Sequence, residues 1–478
     1  MNTATPTRPP SLREAEQRVL VMQSKLHQWA VANYSRRFDD LFNLVYDPCF
    51  LLVAWDKVRM NKGSRTAGVD GLAPRMVPDD MTGTMLDKVG EQLKSQTYQP
   101  RPVRAVQIPK ANGKLRQLGI PTLTDRIVQA ALKLVLEPIF EADFDPCSYG
   151  FRPGRNAHDA IAEIRMFTSA PANYCQVFEG DIKACFDNID HGYLMDQVAV
   201  RIKDKKIRAL IWRLLKAGIM SPDRTFKTSK TGAPQGGILS PLLANIALDR
   251  LDRYFRIWWD SYGDRSRRYR MHQKGQPTMR LVRYADDFVV LVRGSRSDAE
   301  ALFSDITEVL QPIGLALSLE KTKVVSIDEG FDFLGWHIQR HHQRGTARQY
   351  VYTYPSKKSL ASITEKIRLL TQPNCHDTLT DLIASINRVV PGWCAYFRNG
   401  ASSSTLQYVG NFLFWRVFRW LLKRHPKTSK RTIVRRYMPG WIIQSEGIPL
   451  FQPGKVHVIR YRYRGSAIPN PWTVKPVV

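Results

Sequence analysis

The feature that most constrains the fold of this 478-residue chain is the stretch LVRYADDFVVLV at 281–292, where the adjacent carboxylates Asp286 and Asp287 stand between two short apolar runs. Val- and Leu-rich flanks of that length read as buried strands, and the polar dipeptide between them reads as the tight turn of a hairpin. Aspartate is at home in turns because its side chain bonds nearby backbone groups, so the dipeptide alone carries no chemistry. A further acid changes its meaning: Asp181 also follows an apolar strand, residues 175–178. Hard cations such as Mg2+ take carboxylate oxygens, and two ions side by side stabilise both the attacking and the leaving oxygen of phosphoryl transfer.

Charge narrows the partner. Lys and Arg number 71 against 43 Asp and Glu, a formal net charge of +28. Such an excess points to a polyanion, nucleic acid first, because basic side chains release its condensed counterions. A membrane surface is the competitor, but no uninterrupted apolar run reaches spanning length; those near 50–55 and 411–422 are short or carry Arg. The first residues hold no apolar signal core, so a cytoplasmic protein is expected. Six scattered cysteines without a Cys-x-x-Cys pair indicate reduced thiols and argue against structural zinc.

Along the chain, residues 1–37 form a polar extension that turns helix-like after Ser11, a candidate cap. In RPVRAVQIPKANGKLRQLGIP two extended segments flank Asn112-Gly113, which favours a hairpin, with Lys110 before the turn and Lys114 and Arg116 sharing a face after it. Cations on a rigid hairpin suit a triphosphate, although an edge hairpin kept soluble by charge looks the same. The segment SYGFRPGRNAHDA mixes Arg152 and Arg155 with Tyr149 and Phe151, a composition expected beside a nucleic-acid strand. Phe186 lies five residues after Asp181, while Asp187 and Asp190 read as caps or turns. TGAPQGGILSP combines a Gly-rich loop around Gln235 with a helix start, where Ser240 is the cap candidate and Pro241 follows. Residues 250–283 are densely basic and read as an inserted loop facing RNA, and Lys321 and Lys323 fall on a later strand.

The order of these pieces resembles a reverse transcriptase, and most closely the maturase-reverse transcriptases encoded within group II introns, over roughly residues 38–472. The motifs YADD and APQGGILSP carry the most weight. The resemblance implies an α+β right-hand polymerase: fingers and palm with an antiparallel sheet over 38–345, an α-helical thumb or maturase domain over 355–425, and a basic nucleic-acid-binding extension over 426–478. It implies that Asp181, Asp286 and the Ile182 backbone carbonyl hold two Mg2+ ions, with Mn2+ as a substitute, and that Asp287 supports them. It further implies that Lys110 and Arg116 hold the dNTP triphosphate, Phe186 excludes a ribose 2′-hydroxyl, Gln235 sits near the incoming nucleotide, and Lys321 protonates departing pyrophosphate. Residues 333–336 correspond to the hairpin that grips the primer end.

Past residue 355, Leu413, Val417, Trp420 and Leu421 form an apolar helical stripe, with Arg416, Arg419 and Lys423 on other faces. Arg435, Arg436 and the alternating VIRYRYRG tail complete the candidate RNA surface, the tail suiting either a half-buried strand or a nucleic-acid face. The expected partners are the intron RNA, the DNA target and primer, and dNTPs, with monomer and homodimer both open. The chain as given carries neither the His-Asn-His nuclease nor the paired Cys-x-x-Cys of larger members, so it is expected to prime on nicked or single-stranded DNA. The implied activity is RNA-directed DNA synthesis by target-primed reverse transcription in retrohoming, together with splicing assistance. A splicing cofactor that keeps the polymerase scaffold without synthesis, and a domesticated defence or retron-type enzyme, are the alternatives.

Overall fold

The structure, a computed structural model, describes residues 10–473 except 110–112, 114, 222–225, 228–230, 234–235, 344 and 347. Its centre is a four-stranded antiparallel sheet in the order Thr278–Tyr284, Asp287–Arg293, Gln176–Asp181, Lys323–Ser326. Both faces of this sheet are buried. Phe178, Leu281, Phe288, Val290 and Val292 enter one core, while Val177, Val282, Val289, Leu291 and Val325 enter another. Alternate side chains point to opposite faces of a strand, so burial on both sides requires the unbroken apolar runs that the sequence displays.

The larger core also takes in the helices Leu12–Ala32, Pro48–Met60, Leu123–Glu141 and Ser240–Ser261. The first of these is capped reciprocally by Ser11 and Glu14, and it buries Ala15, Val19, Leu26 and Ala30. It is therefore an integral wall of the core rather than an appendage. Leu239, not Ser240, is the cap of the helix Ser240–Ser261, and it makes no side-chain capping bond; Pro241 stands at the start as expected.

Away from the central sheet, Val103–Pro109 and Leu115–Ile120 pair antiparallel from Arg104 against Ile120 to Pro109 against Leu115. Of the Asn112-Gly113 turn only Gly113 is described; Lys110, Asn112 and Lys114 lie outside the described residues. Phe331–Phe333 and Trp336–His342 pair through Leu334 and Gly335, both at positive φ (50° and 81°), the geometry of a type I′ turn. The helices Lys357–Leu370, Leu379–Phe397 and Ser403–Arg424 surround a core of their own, in which Leu413, Val417, Trp420 and Leu421 meet Ile363, Ile367, Leu382 and Ile386. No helix among the described residues is long and apolar enough to cross a membrane.

The last described segment returns across the molecule. Ile459 N donates to Arg398 O at 2.9 Å, the Arg464 guanidinium meets buried Asp159 at 2.7 Å, and Trp472 Nε1 donates to Gln23 Oε1 at 3.3 Å. Residues 459–464 have irregular backbone instead of the strand that Arg-Tyr alternation suggested, and Arg464 leaves the pattern to bind Asp159. The tail is thus a strap that ties the C-terminal helices to the palm and to the first helix. Trp472 is buried against His27, with ring centroids 5.5 Å apart. Losing a buried Trp costs about 3–5 kcal/mol at its site. Trp472→Ala should therefore leave the helical circular dichroism unchanged but speed tryptic cleavage within residues 460–464 at least about tenfold, in line with local detachment; wild-type cleavage kinetics would contradict the strap.

Candidate active site

The turn between the two strands that carry the paired acids is tight: Tyr284 pairs with Asp287, leaving only Ala285 and Asp286 between the strands. Ala285 has φ +58°, a left-handed conformation that costs a non-glycine residue about 1–2 kcal/mol. Such a conformation persists when its surroundings over-determine it. Here they do. A Cβ on Gly150 would stand 2.3 Å from Ala285 N, so the Gly150 backbone lies directly against the turn and only glycine fits. Fully buried Arg283 donates through one guanidinium nitrogen to Ala285 O at 2.8 Å and to Asn245 Oδ1 at 3.0 Å. Its Nε donates to Asp252 Oδ1 at 2.7 Å, and a second contact completes the pair with that equally buried carboxylate. Asn245 also donates to Gly150 O at 2.9 Å, and Arg283 exchanges backbone bonds with Cys147 and Tyr149. A cation inside an apolar strand was the sequence signal for this clamp, but its partners lie too far along the chain to be read from it.

The strand Gln176–Asp181 pairs with Asp287–Arg293 so that Asp181 stands directly opposite Asp287, with Asp286 in the adjoining turn. Like charges across a strand pair repel. Water reaches the Asp287 side chain, yet protein surrounds it on most sides; that desolvation, with the charges of Asp286 and Asp181, pushes its carboxyl up to about 6. Asp286 also acts on buried Cys185, whose thiol is pushed up to about 12 mainly by burial, so the acid faces the segment that follows Asp181. Cations answer the repulsion. Lys321 Nζ donates to both carboxylate oxygens of Asp181, at 2.9 and 3.1 Å, and Arg116 on the fingers hairpin is close enough to pull the Asp287 pKa down. Lys321 sits in a turn before the strand Lys323–Ser326, not on it, while Lys323 pairs with Glu179 at 3.2 Å.

Ile182 pairs with Leu317 through bonds made by its neighbours, Lys183 N to Ala316 O and Ser318 N to Asp181 O. Its own carbonyl therefore points away from that segment. Among the described residues no three ligating side chains already converge on one point. Mg2+ is nonetheless commonly bound by one or two carboxylates completed by water and substrate phosphates, and these hard oxygen donors suit it.

Phe186 is buried in the short helix Cys185–Asn188, and the Gly-rich loop is packed on it. Ala233 N donates to Phe186 O at 2.7 Å, and a Cβ on Gly232 would stand 2.7 Å from that same oxygen. Gly236 approaches the fingers strand equally closely, 2.7 Å from Gly119 O by the same measure, while Gln235 lies outside the described residues. The loop thus joins the fingers to the segment after Asp181.

Several predicted nucleic-acid contacts turn inward. Arg152 is buried with its guanidinium bonded to Glu141 and to the carbonyls of Asp145, Ser148 and Phe144, so it serves the fold and not a nucleic acid. Arg155 is half-buried and donates to Pro146 O. The basic stretch 250–283 is not a loop but the end of one helix, the helix Arg265–Gln273 and a strand; Arg253, Arg256, Arg280 and Arg283 pair with Asp249, Asp145, Glu163 and Asp252, while Arg265, Arg267 and Arg270 stay exposed. Arg416 is tied to Thr371 and Arg368, whereas Arg419, Lys423, Arg435 and Arg436 are exposed.

Residues 108–338 match the family described as reverse transcriptase (RNA-dependent DNA polymerase), and residues 360–438 match the maturase-specific domain of group II introns. Protein YkfC of Escherichia coli is 37% identical over 371 residues, which span 73% of this chain and 97% of YkfC. Group II intron-encoded protein LtrA of Lactococcus lactis subsp. cremoris is 30% identical over 472 residues, 84% of this chain and 77% of LtrA. The putative COX1/OXI3 intron 2 protein of Saccharomyces cerevisiae is 28% identical over 338 residues, 63% of this chain and 39% of that protein.

A carboxylate beside the clamp, Asp249, also titrates. Burial, then the charge of Asp252, push the Asp249 carboxyl up to about 7 against the pull of Arg253. In the unfolded chain an aspartate loses its proton near pH ~4. Folding therefore takes up a proton between those values, and stability falls as pH rises from about 4 to about 7. Arg253 is half-exposed and loses little with its partner. Asp249→Asn should leave the melting temperature near wild type at pH 4.5 and raise it relative to wild type at pH 8; thermal melts with no pH-dependent difference would contradict the assignment.

Proposed function

Because this chain belongs to the family of group II intron-encoded maturase-reverse transcriptases, we propose that its RNA-directed DNA polymerase extends a DNA primer at Asp181 and Asp286, copying the intron RNA by target-primed synthesis during retrohoming. The observation that carries the site assignment is the alignment of Asp181 with the Asp286-Asp287 turn at one end of the central sheet, with Arg116 of the fingers acting on the same cluster. Asp181, the Ile182 carbonyl and Asp286 are the groups that would hold two Mg2+ ions, or Mn2+ in their place, which supply Lewis acidity to the attacking and leaving oxygens.

The chain's own residues contribute mainly position and charge. Arg116, with Lys110, neutralises the triphosphate of the incoming dNTP, and the planar guanidinium fork suits phosphate oxygens. Phe186 lies beneath the sugar, where it excludes a ribose 2′-hydroxyl, with the Gly-rich loop packed on it, and Gln235 serves the incoming nucleotide as the family resemblance implies. Lys321, held on Asp181 at 2.9 Å, stands within the cluster and delivers its proton to departing pyrophosphate as a general acid. Asp287 keeps the site negative and is the neighbour whose repulsion a bound cation relieves. Exposed Arg419, Lys423, Arg435 and Arg436 offer the intron RNA a basic surface on the maturase-specific domain, within or beside which the splicing role lies.

Asp286→Ala should reduce dNTP incorporation on an RNA template and DNA primer by about a hundred- to a thousandfold, given that single preorganised electrostatic groups are worth 10²–10³. Filter binding of the intron RNA should stay within about twofold of wild type. Extension at the wild-type rate would remove Asp286 from the site. A loss of that size accompanied by lost RNA binding would show a folding defect instead.

A further inference from the structure

The strap and the helix Ala157–Thr168 border an open cleft of about 450 Å³ that takes no part in the chemistry above. Arg165 comes from the last turn of the helix, Arg460 and Arg462 from the strap, and Tyr463, Met166 and Ser169 complete its walls. The strap is fixed in place from beneath. Arg165 donates to Tyr461 O at 2.5 Å, Tyr461 Oη donates to Asp159 at 3.0 Å, and Arg464 binds the same acid. Tyr461 is thereby turned towards Asp159, while Arg460 and Arg462 are exposed at the cavity and Tyr463 lines it.

Charge in this cavity is one-sided. No carboxylate is among the described residues that line it. Burial, then the nearby positive charge of Arg460, lower the Arg165 pKa, so these cations crowd one another. The C-terminal end of the helix faces the same space with only about half a negative charge, too little to balance three guanidinium groups. Several nearby arginines are paired with buried acids, as Arg280 is with Glu163 and Arg283 with Asp252, whereas none of this trio forms an ion pair among the described residues. Guanidinium groups spaced around a concave surface bind phosphates through forked hydrogen bonds.

We infer that the cavity bounded by Arg165, Arg460 and Arg462 is a docking site for the phosphodiester backbone of RNA, separate from the template-primer site. This rests on the reading of the protein as an intron-RNA binder, and it adds a site on the palm and strap to the surface of the maturase-specific domain. Contacts to two or three phosphates make binding depend on salt, with a slope of log affinity against log salt of about 0.7–0.9 per phosphate.

The test uses the full chain, fluorescence anisotropy and a labelled 20-base-pair RNA duplex, with a DNA duplex of the same sequence alongside, from 50 to 300 mM KCl. Arg460→Gln/Arg462→Gln leaves the Arg165 bond to the strap in place, and an unchanged melting temperature establishes that the fold is kept. The expected result is a salt slope shallower by about 1.4–1.8 on RNA, with the wild-type slope retained by Arg460→Lys/Arg462→Lys. An unchanged slope on RNA, or a loss confined to DNA, would overturn the docking site. Failure of the wild-type protein to bind RNA at all would instead refute the reading on which it rests.

Discussion

The buried ion pair of Arg283 with Asp252 is the interaction on which the candidate active site depends. Two charges taken out of water cost several kcal/mol each, and their attraction repays that only when geometry and extra hydrogen bonds are good. Arg283 meets that condition by spending its remaining donors on Ala285 O and Asn245, so the desolvation cost is converted into a fixed turn. The pair links three pieces of chain: the helix Ser240–Ser261, the hairpin with the acidic turn, and, through Asn245 and Gly150, the segment before the helix Ala157–Thr168. A left-handed alanine beside two carboxylates is unstable alone. Held from behind, it presents both acids on a rigid support.

The arrangement around that support divides the labour. The central sheet is buried on both faces and carries Asp181 and Asp287 at one end, where the cations Lys321 and Arg116 offset the gathered negative charge. The C-terminal helices keep a separate core, and the strap joins them to palm and first helix over more than 300 positions of sequence, as in Arg464 with Asp159. A chain with formal charge +28 thus uses part of its arginine internally, as structural cross-links, and leaves a smaller set facing solvent.

That division sets what could be read from the sequence. Local signals were legible: the apolar runs about Asp286 and Asp287, the Asn-Gly hairpin, the Ser11 cap and the stripe of Leu413, Val417, Trp420 and Leu421 all depend on neighbours within one or two turns. Partners across the chain were not. Arg152 looked like a nucleic-acid contact because Glu141, which neutralises it, lies on the preceding helix, and the stretch 250–283 looked like an exposed basic loop because Glu163, Asp145 and Asp252 answer its arginines only after folding. Tyr-Arg alternation in the tail likewise suggested a strand, whereas side-chain bonds to Asp159 dictate its path. Charge counts cannot tell a paired arginine from one that awaits phosphate.

The most direct test of the account is single-turnover incorporation of one dNTP by Arg283→Lys at saturating template-primer, at a temperature where circular dichroism shows the variant folded. Lysine keeps the charge but cannot span Asp252, Asn245 and Ala285 O together. Because a misplacement of about 1 Å can cost about a hundredfold in rate, the account predicts a loss of that size with template-primer affinity unchanged. Incorporation within about twofold of wild type would contradict the claim that the buried clamp sets the geometry of the acidic turn.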